Sequence, residues 1–495
     1  MSMIDINNLS FTYEGSYDTV FEDVTFRIDT EWKLGFTGRN GRGKTTFCKL
    51  LMGRYNYKGS IKSSVNFSYF PYEIKNKRND TLDILYNEDP MIELWAVQKE
   101  LSLLGVSEDV LYRPFETLSN GEQTKVMLAS MFAKENNFLL IDEPTNHLDS
   151  EGREILEEYL NTKSGFLLIS HDRDFLDSCI DHILVINKTN IEVQQGNFST
   201  WWYNKQANDK SEQSQNEKLK KDIKRLDDAA KRTSRWSDKV EKSKRLDQKR
   251  DAGVKPDKGH IGALAAKMMK RSKSAELRIS KAKEDKEKLM KNIERLDPLS
   301  INPRTYFKKR LITATDFSIK YDDKEIFTPF SFTIDEGDRI ALIGKNGSGK
   351  SSLIKAIIGE KLDHMGELNM GSNLKISYVP QDSSFLSGSL KDYALQCNID
   401  ESVFKSILRK MDFPRVQFEK DMNDFSLGQR KKVLIARSLC EEANLYIWDE
   451  PLNYIDVFSR MQIEMLLNQY NPTMIFVEHD KQFVENIGIK LIYLC

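Results

Sequence analysis

The chain is poor in cysteine, in proline and in uninterrupted apolar sequence, and each shortage excludes a class of protein. Among 495 residues there are five cysteines and twelve prolines. The cysteines at 48, 179, 397, 440 and 495 show no C-x-x-C spacing. That argues against a disulfide framework and against a zinc site. Apolar runs are short, as in Phe138–Ile141 and Gly165–Ile169, whereas a membrane-spanning helix needs about 18 or more apolar residues in a row. The opening MSMIDINNLSFTY has no basic start and no long apolar stretch, so a signal peptide is not expected and a cytosolic protein is. Net charge is missing as well, with 74 Lys+Arg against 75 Asp+Glu. Yet 30% of the residues are charged, more than the roughly 25% of an ordinary globular chain. Charged, poorly buried sequence must be joined to globular material.

The balanced total conceals two opposite parts. Residues 203–300 carry 29 Lys+Arg against 17 Asp+Glu, and the remainder is correspondingly acidic. Between Pro144 and Pro298 the only proline is Pro256, flanked by Gly253 and Gly259. Leu219, Ile223, Leu226 and Ala230 before this break, and Leu289, Ile293 and Leu296 after it, recur at helical spacing in a narrow seam. The pattern predicts a basic antiparallel α-helical hairpin, turning at about 246–261. Arms of about 35 to 42 residues at 1.5 Å each would reach roughly 50–60 Å. Positive charge gathers near the turn, which makes Lys231, Arg232, Arg235, Trp236, Lys244, Arg245, Lys249, Arg250, Lys255, Lys258, Lys267, Lys270 and Arg271 candidate RNA contacts.

The flanking segments repeat one another. GRNGRGKT at 38–45 parallels GKNGSGKS at 344–351, and LSNGE at 118–122 parallels FSLGQ at 425–429. LLIDEP at 139–144 parallels YIWDEP at 446–451, and ISHD at 169–172 parallels VEHD at 477–480. A duplicated domain accounts for the near-constant offset. The expected fold is therefore α/β: one P-loop domain over 1–202, a helical linker over 203–303, and a second P-loop domain over 304–495.

Gly-x4-Gly-Lys-[Thr/Ser] is a phosphate-binding loop in which backbone N–H groups curl round phosphates and a lysine neutralises charge. Each occurrence follows an apolar strand (Leu34–Phe36, Ile340–Ile343) and precedes an amphipathic helix. Gly38, Arg39, Asn40, Gly41, Arg42, Gly43, Lys44, Thr45 and Thr46 form the first candidate loop. Gly344, Lys345, Asn346, Gly347, Ser348, Gly349, Lys350, Ser351 and Ser352 form the second. The apolar strands Phe138–Ile141 and Leu445–Trp448 end in Asp-Glu. Asp142 and Asp449, with Thr45 and Ser351, are candidate Mg²⁺ ligands, and Glu143 and Glu450 are placed to polarise an attacking water.

This set of motifs resembles the ATP-binding-cassette ATPases. Two cassettes on one chain joined by a basic helical linker resemble the ABC-F branch. Arg113-Pro-Phe115, Met268-Met-Lys-Arg-Ser272 and the run from Leu445 to Asn453 resemble the Lsa-type antibiotic-resistance members. The resemblance implies ATP and Mg²⁺ as cofactors and a monomer whose cassettes pair head to tail. Gly38–Thr45, Asp142, Glu143 and His171 would then face Ser426, Gly428 and Gln429. Gly344–Ser351, Gln381, Asp449, Glu450 and His479 would face Ser119, Gly121 and Glu122. Tyr13 and Tyr321 would stack on adenine, and His147 would lie at the cassette interface. Tyr72 stands where the second copy has Gln381, which implies a slower first site. The signatures depart from the family pattern across both sites, however (LSNGE in the first, Phe425 opening the second), so which site dominates stays open. The implied partner is the bacterial 70S ribosome, through 23S rRNA and P-site tRNA, with no membrane. The body would occupy the E site and the hairpin would approach the peptidyl-transferase centre, relieving lincosamide, streptogramin A and pleuromutilin inhibition. The rival readings are a housekeeping translation factor of the same branch and, more remotely, the ATPase subunit of a membrane transporter.

Overall fold

The computed structural model describes residues 2–494 except 15–18, 135, 147, 187–190, 322–323, 346, 479 and 488–489. Within 209–296 it describes only 217–218, 221–222, 224–225, 228, 232, 263, 266–267, 270–271, 273–274, 277–282 and 285. Of Ser150, Tyr321 and Lys324 it describes the backbone alone.

In the first copy the strands are β1 (Met3–Thr12), β2 (Thr19–Asp29), β3 (Lys33–Thr37), β4 (Lys58–Lys62), β5 (Asn66–Phe70), β6 (Asn137–Asp142), β7 (Phe166–Ile169), β8 (His182–Ile186) and β9 (Ile191–Gln195). Those of the second are β10 (Arg310–Tyr321), β11 (Lys324–Glu325), β12 (Phe330–Asp335), β13 (Arg339–Ile343), β14 (His364–Met370), β15 (Ile376–Val379), β16 (Leu445–Asp449), β17 (Met474–Val477) and β18 (Lys490–Tyr493). The first copy has a sheet in the order β5-β6-β7-β3-β8-β9, parallel except for β9, and an antiparallel sheet β2-β1-β4. The second repeats the parallel order as β15-β16-β17-β13-β18, and sets β11, β12 and β14 against β10.

The parallel strands form where the apolar runs are continuous, as expected for strands covered on both faces. Leu34 and Phe36 of β3 and every residue of β16 are buried. Gly35 is needed for close approach, since a Cβ there would lie 2.4 Å from Ile180 Cδ1. Parallel register sets Asp142 beside Ile169 and Asp449 beside Val477. The carboxyl ends of the strands, the phosphate loops that follow β3 and β13, and His171 after β7 therefore gather at one edge of each sheet.

The helices of the first copy are α1 (Lys44–Leu51), α2 (Thr81–Glu88), α3 (Leu94–Leu103), α4 (Asn120–Phe132), α5 (Ser150–Asn161) and α6 (Arg173–Cys179). In the second they are α7 (Lys350–Ile357), α8 (Leu390–Gln396), α9 (Glu401–Lys410), α10 (Leu427–Cys440), α11 (Val457–Tyr470) and α12 (Lys481–Ile487). α1 packs Phe47, Leu50 and Leu51 into one core with β1, β2, β3 and β6. α7 does the same with Leu353, Ile354 and Ile357. Helices α8 to α11 share a further core around Phe404, Leu434 and Trp448.

Met1–Ser199 and Arg295–Cys495 make one compact unit, and Thr200–Glu294 a second. In the second unit, residues 201–208 and every described position from 217 to 285 are helical. Arg232, Lys267, Lys270 and Arg271 are exposed there. The turn at 246–261, the pairing of the arms, and the seam residues Leu219, Ile223, Leu226, Ala230, Leu289, Ile293 and Leu296 lie outside the described residues. So do Lys231, Arg235, Trp236, Lys244, Arg245, Lys249, Arg250, Lys255 and Lys258. Among the described residues no helix is long and apolar enough to cross a membrane.

One buried ion pair secures the turn before α11. Lys432 Nζ donates to Asp456 Oδ2 and to the Met411 carbonyl, each at 2.7 Å, with both side chains nearly inaccessible. Burial alone would raise the Asp456 carboxyl, but the Lys432 ammonium holds it well below the usual carboxylate range. Asp456 also caps α11 by accepting the Ser459 amide at 3.0 Å. Lys432→Met should cost about 3–5 kcal/mol by leaving a buried carboxylate without its cation. Adding Asp456→Asn should recover part of the loss, read as the midpoint of denaturant unfolding.

Candidate nucleotide sites

Both phosphate loops lead into their helices through glycines at positive φ, Gly43 at +97° and Gly349 at +90°. A Cβ at either would meet Val20 or Ile326 at 2.5 or 2.6 Å. Gly41 and Gly347 both sit at +81°, a region that side chains rarely adopt. Lys44 Nζ donates to the Gly38 carbonyl at 2.7 Å and to that of Arg39 at 3.3 Å. Lys350 Nζ likewise reaches Gly344 at 2.7 Å and Lys345 at 2.9 Å. Burial lowers the pKa of both ammonium groups. Each is a desolvated cation held on weak acceptors, ready to exchange them for an anion.

Acidic strand ends face these loops. Asp142 Oδ2 accepts from Tyr69 Oη at 2.6 Å and from Thr45 Oγ1 at 3.1 Å. Burial pushes the Asp449 carboxyl up to about 6, with a hydrogen bond from Ser351 acting against it. Asp449 Oδ1 is buried with no hydrogen-bond partner among the described residues. Hydroxyl beside carboxylate, with a carboxylate oxygen left over, is a donor set suited to a hard divalent cation.

The two glutamates that follow are both in the left-handed region, at φ +52° for Glu143 and +46° for Glu450, a conformation that collects at functional sites. Burial and the neighbouring Asp142 push Glu143 up to about 8. Its Oε1 is buried without a hydrogen-bond partner among the described residues, 3.4 Å from His171 Nε2. Burial and the nearby Lys44 hold His171 well below its ordinary pKa, so its ring is neutral. Glu450 is held differently, its Oε2 accepting from Gln381 Nε2 at 2.8 Å and Asn453 Nδ2 at 2.7 Å. Tyr72 does not substitute for Gln381, because its hydroxyl turns to Ser130 on α4 at 3.2 Å.

The structure sets each signature against the opposite loop. Ser119, Gly121 and Glu122 line one cavity of about 750 Å³ with Gly349, Lys350, Ser351, Ser352, Gln381 and Glu450, within the usual range for ligand pockets. On the other side Asn40 Nδ2 donates to the Tyr454 carbonyl at 2.8 Å, and Gly428 packs against both groups. Both signatures are capping boxes. Ser119 accepts the Glu122 amide at 3.2 Å while Glu122 Oε2 accepts the Ser119 amide at 2.8 Å; Ser426 and Gln429 reciprocate at 3.3 and 3.0 Å. Ser-x-x-Glu/Gln ahead of an apolar helix carries this information in sequence. Glu122 and Gln429 thus use their side chains to start α4 and α10, whose positive ends point into the sites.

Other expected site residues are placed less directly. Arg39 and Arg42 turn to the opposite copy: Arg42 Nη2 lies 3.1 Å from Asp412 Oδ2, and the Arg39 guanidinium lies 5.6 Å from the Phe458 ring centroid. Lys345 pairs with Glu151 across the same interface. Thr46 Oγ1 is 2.6 Å from Tyr13 Oη, and Tyr13 is 41% exposed, edge-on to Phe11. Tyr55 meets the same ring edge-on at 5.8 Å between centroids. His147, Asn346, His479 and the Tyr321 side chain lie outside the described residues.

Of the two signature glycines Gly428 is the more constrained, because a Cβ would lie 2.5 Å from the Tyr454 carbonyl oxygen and 3.0 Å from Asn40 Nδ2. At Gly121 it would meet only the Leu148 side-chain end, at 3.3 Å. Gly428→Ala should speed amide exchange across residues 452–456 and lower ATP turnover about tenfold or more. Exchange across 145–149 in Gly121→Ala should change less.

The family model for ABC transporters matches residues 21–146 and 327–453, about half of the chain. The chain is 29% identical to the ATP-binding protein Uup of Buchnera aphidicola subsp. Acyrthosiphon pisum, over 99% of this chain and 80% of that protein. It is 26% identical to the ribosome protection protein VmlR of Bacillus subtilis, over 98% and 85%. With ABC transporter F family member 2 of Arabidopsis thaliana it shares 25%, over 99% and 76%. Among solved structures, the complex of the archaeal ribosomal stalk protein aP1 with the ribosome recycling factor aABCE1 aligns over 98% of this chain and 87% of the matched one. Its TM-score is 0.63 and its identity 19%, which speaks to the fold. The chain belongs to the ABC transporter family, as an ABC-F ATPase with two ATP-binding cassettes.

Proposed function

We propose that this protein is a ribosome-protection ATPase. On this reading it binds the bacterial 70S ribosome at the E site when its cassettes hold two ATP molecules. The linker then extends past P-site tRNA toward the peptidyl-transferase centre, along 23S rRNA, and relieves inhibition by lincosamides, streptogramin A or pleuromutilins. The observation that carries the reading is the strongly basic segment set between two complete cassettes, with 29 Lys+Arg against 17 Asp+Glu over residues 203–300. An acidic ATPase body needs such a segment to approach RNA. Likeness over nearly the whole chain to a ribosome protection protein supports it. The working division is 1–202 for the first cassette, 203–303 for the linker and 304–495 for the second cassette, with a cytoplasmic location.

Each site draws on both cassettes. Lys44 and Lys350 release their loop carbonyls to grip phosphate, and the N-termini of α10 and α4 close over it from the other side. Thr45 with Asp142, and Ser351 with Asp449 and Gln381, would hold Mg²⁺, which supplies charge neutralisation at the phosphates when bound. Glu143 and Glu450 orient the attacking water. The neutral ring of His171 adds a hydrogen-bonding group beside Glu143, and His479 takes that part in the second site. Tyr13 and Tyr321 offer ring faces to the adenines.

Removing only the two water-orienting carboxylates should preserve ATP binding and closure while hydrolysis falls by orders of magnitude. Glu143→Gln/Glu450→Gln protein should therefore sediment with ribosomes in ATP and remain mostly free in ADP. Sedimentation alone in both nucleotides would refute the ribosome reading. Replacing residues 246–261 with a short Gly-Ser turn should leave basal ATPase within about a few-fold of the parent. It should abolish rescue of in vitro translation from a lincosamide. Ribosome binding should weaken only partly and become less salt-dependent as Lys249, Arg250, Lys255 and Lys258 are lost.

A further inference from the structure

The two cassettes differ at a buried position just outside the motifs assigned to nucleotide chemistry. Ahead of the motif histidine the first cassette has Ser170 and the second Glu478. Ser170 Oγ accepts the amide of Asp172, within its own turn, at 3.1 Å. Glu478 is 7% exposed and reaches further, its Oε1 accepting the amide of Leu452 at 2.7 Å. Arg460 takes the other polar group of the same residue, with Nη2 on the Leu452 carbonyl at 2.9 Å. It also holds the Ile455 carbonyl at 3.0 Å and Asp480 at 3.0 Å. In the first cassette the equivalent Arg153 reaches the Leu148 carbonyl at 3.3 Å and Asp172 at 2.9 Å.

What Glu478 moors is the segment that faces the other cassette. Two residues after Leu452, Tyr454 sits at φ +64° and presents its carbonyl to Asn40 of the first phosphate loop. A non-glycine residue in that region costs about 1–3 kcal/mol and persists only where its surroundings over-determine it. Glu478 and Arg460 hold the segment at its start, and Lys432 with Asp456 holds it at its end. Burying a glutamate is itself unfavourable unless it is hydrogen-bonded and compensated. Here the Leu452 amide and the Arg460 charge do both. Burial pushes the Glu478 carboxyl up to about 7, with Arg460 acting against it. A glutamine, which keeps the accepting oxygen, is therefore a close replacement.

We propose that Glu478 is a positioning residue that fixes residues 452–456 against the first phosphate loop, so that ATP hydrolysis at the first site depends on it more heavily than hydrolysis at the second, where the same segment offers only the Asn453 side-chain amide to Glu450. The proposal rests on the reading of Glu143 and Glu450 as the water-orienting groups of the two sites. On that reading the segment that meets the first loop is moored by Glu478, while the one lining the second site with Leu148 and Asp149 has Ser170 behind it.

The test is steady-state ATP turnover of full-length protein carrying Glu478→Ser or Glu478→Gln, with one site silenced at a time. In the Glu450→Gln background, where only the first site turns over, Glu478→Ser should lower kcat about tenfold or more with KM within about twofold. In the Glu143→Gln background, where the segment supplies only the Asn453 bond to Glu450, kcat should fall by about threefold or less, and Glu478→Gln should behave as the parent in both. Equal losses in the two backgrounds, a loss confined to the Glu143→Gln background, or a glutamine as damaging as serine would each overturn the proposal. If Glu478→Ser melts well below the parent, Glu478→Asp, which withdraws the oxygen by one methylene, carries the same comparison. The Glu143→Gln/Glu450→Gln chain separates the two claims. If it still hydrolyses ATP, the glutamate assignment fails, and the mooring is judged by amide exchange over residues 452–456. That exchange should quicken in Glu478→Ser and not in Glu478→Gln; unchanged exchange would overturn it.

Discussion

One side-chain amide holds the first site in its two-cassette form. Asn40, in the middle of the first phosphate loop, donates to the carbonyl of Tyr454, 414 positions later. For the bond to form, Gly428 must be a glycine, Tyr454 must adopt a left-handed backbone, and α10 must begin where its capping box begins it. Arg39 and Arg42 reinforce the approach from the same loop by meeting Asp412. The loop that cradles phosphate is thereby also a docking surface. Changes in what it binds can be transmitted directly to the opposite cassette.

The two sites are built from the same parts with different side chains around them. At the second, the signature of the first cassette and the loop of the second leave a cavity of about 750 Å³. At the first, Asn40 reaches the Tyr454 carbonyl, and the corresponding Asn346 and His147 of the second lie outside the described residues. A handful of substitutions separates otherwise parallel motifs: Arg39 for Lys345, Tyr72 for Gln381, Ser170 for Glu478. None alters the phosphate loop pattern itself. Duplication supplies the symmetry, and side chains just outside the chemistry break it.

Much of this was legible in the chain. The strands at Leu34–Phe36, Phe138–Ile141, Ile340–Ile343 and Leu445–Trp448 form where unbroken apolar runs end in glycine or acid. The pairing of each signature with the opposite loop followed from the family resemblance rather than from spacing. Other features were harder to read. The capping boxes were present as Ser-x-x-Glu and Ser-x-x-Gln, but a signature that also faces a nucleotide does not reveal how its third residue is used. Tyr72 occupies the glutamine's place in the repeat but not in space, because its phenol hydroxyl meets Ser130. Glu478 was visible as a mismatch between ISHD and VEHD. Its partner, Leu452, is an amide that no side-chain pattern marks. Arg39 and Arg42 meet Asp412, a contact between distant segments that local periodicity cannot register.

The central claim is that a single chain builds two composite ATP sites by folding its own cassettes together. Native mass spectrometry of Glu143→Gln/Glu450→Gln protein, incubated with ATP and Mg²⁺ and desalted, measures this directly. The account predicts one 57.4 kDa chain carrying two nucleotides. A nucleotide-dependent dimer of chains, or a single chain that retains only one ATP, would contradict it.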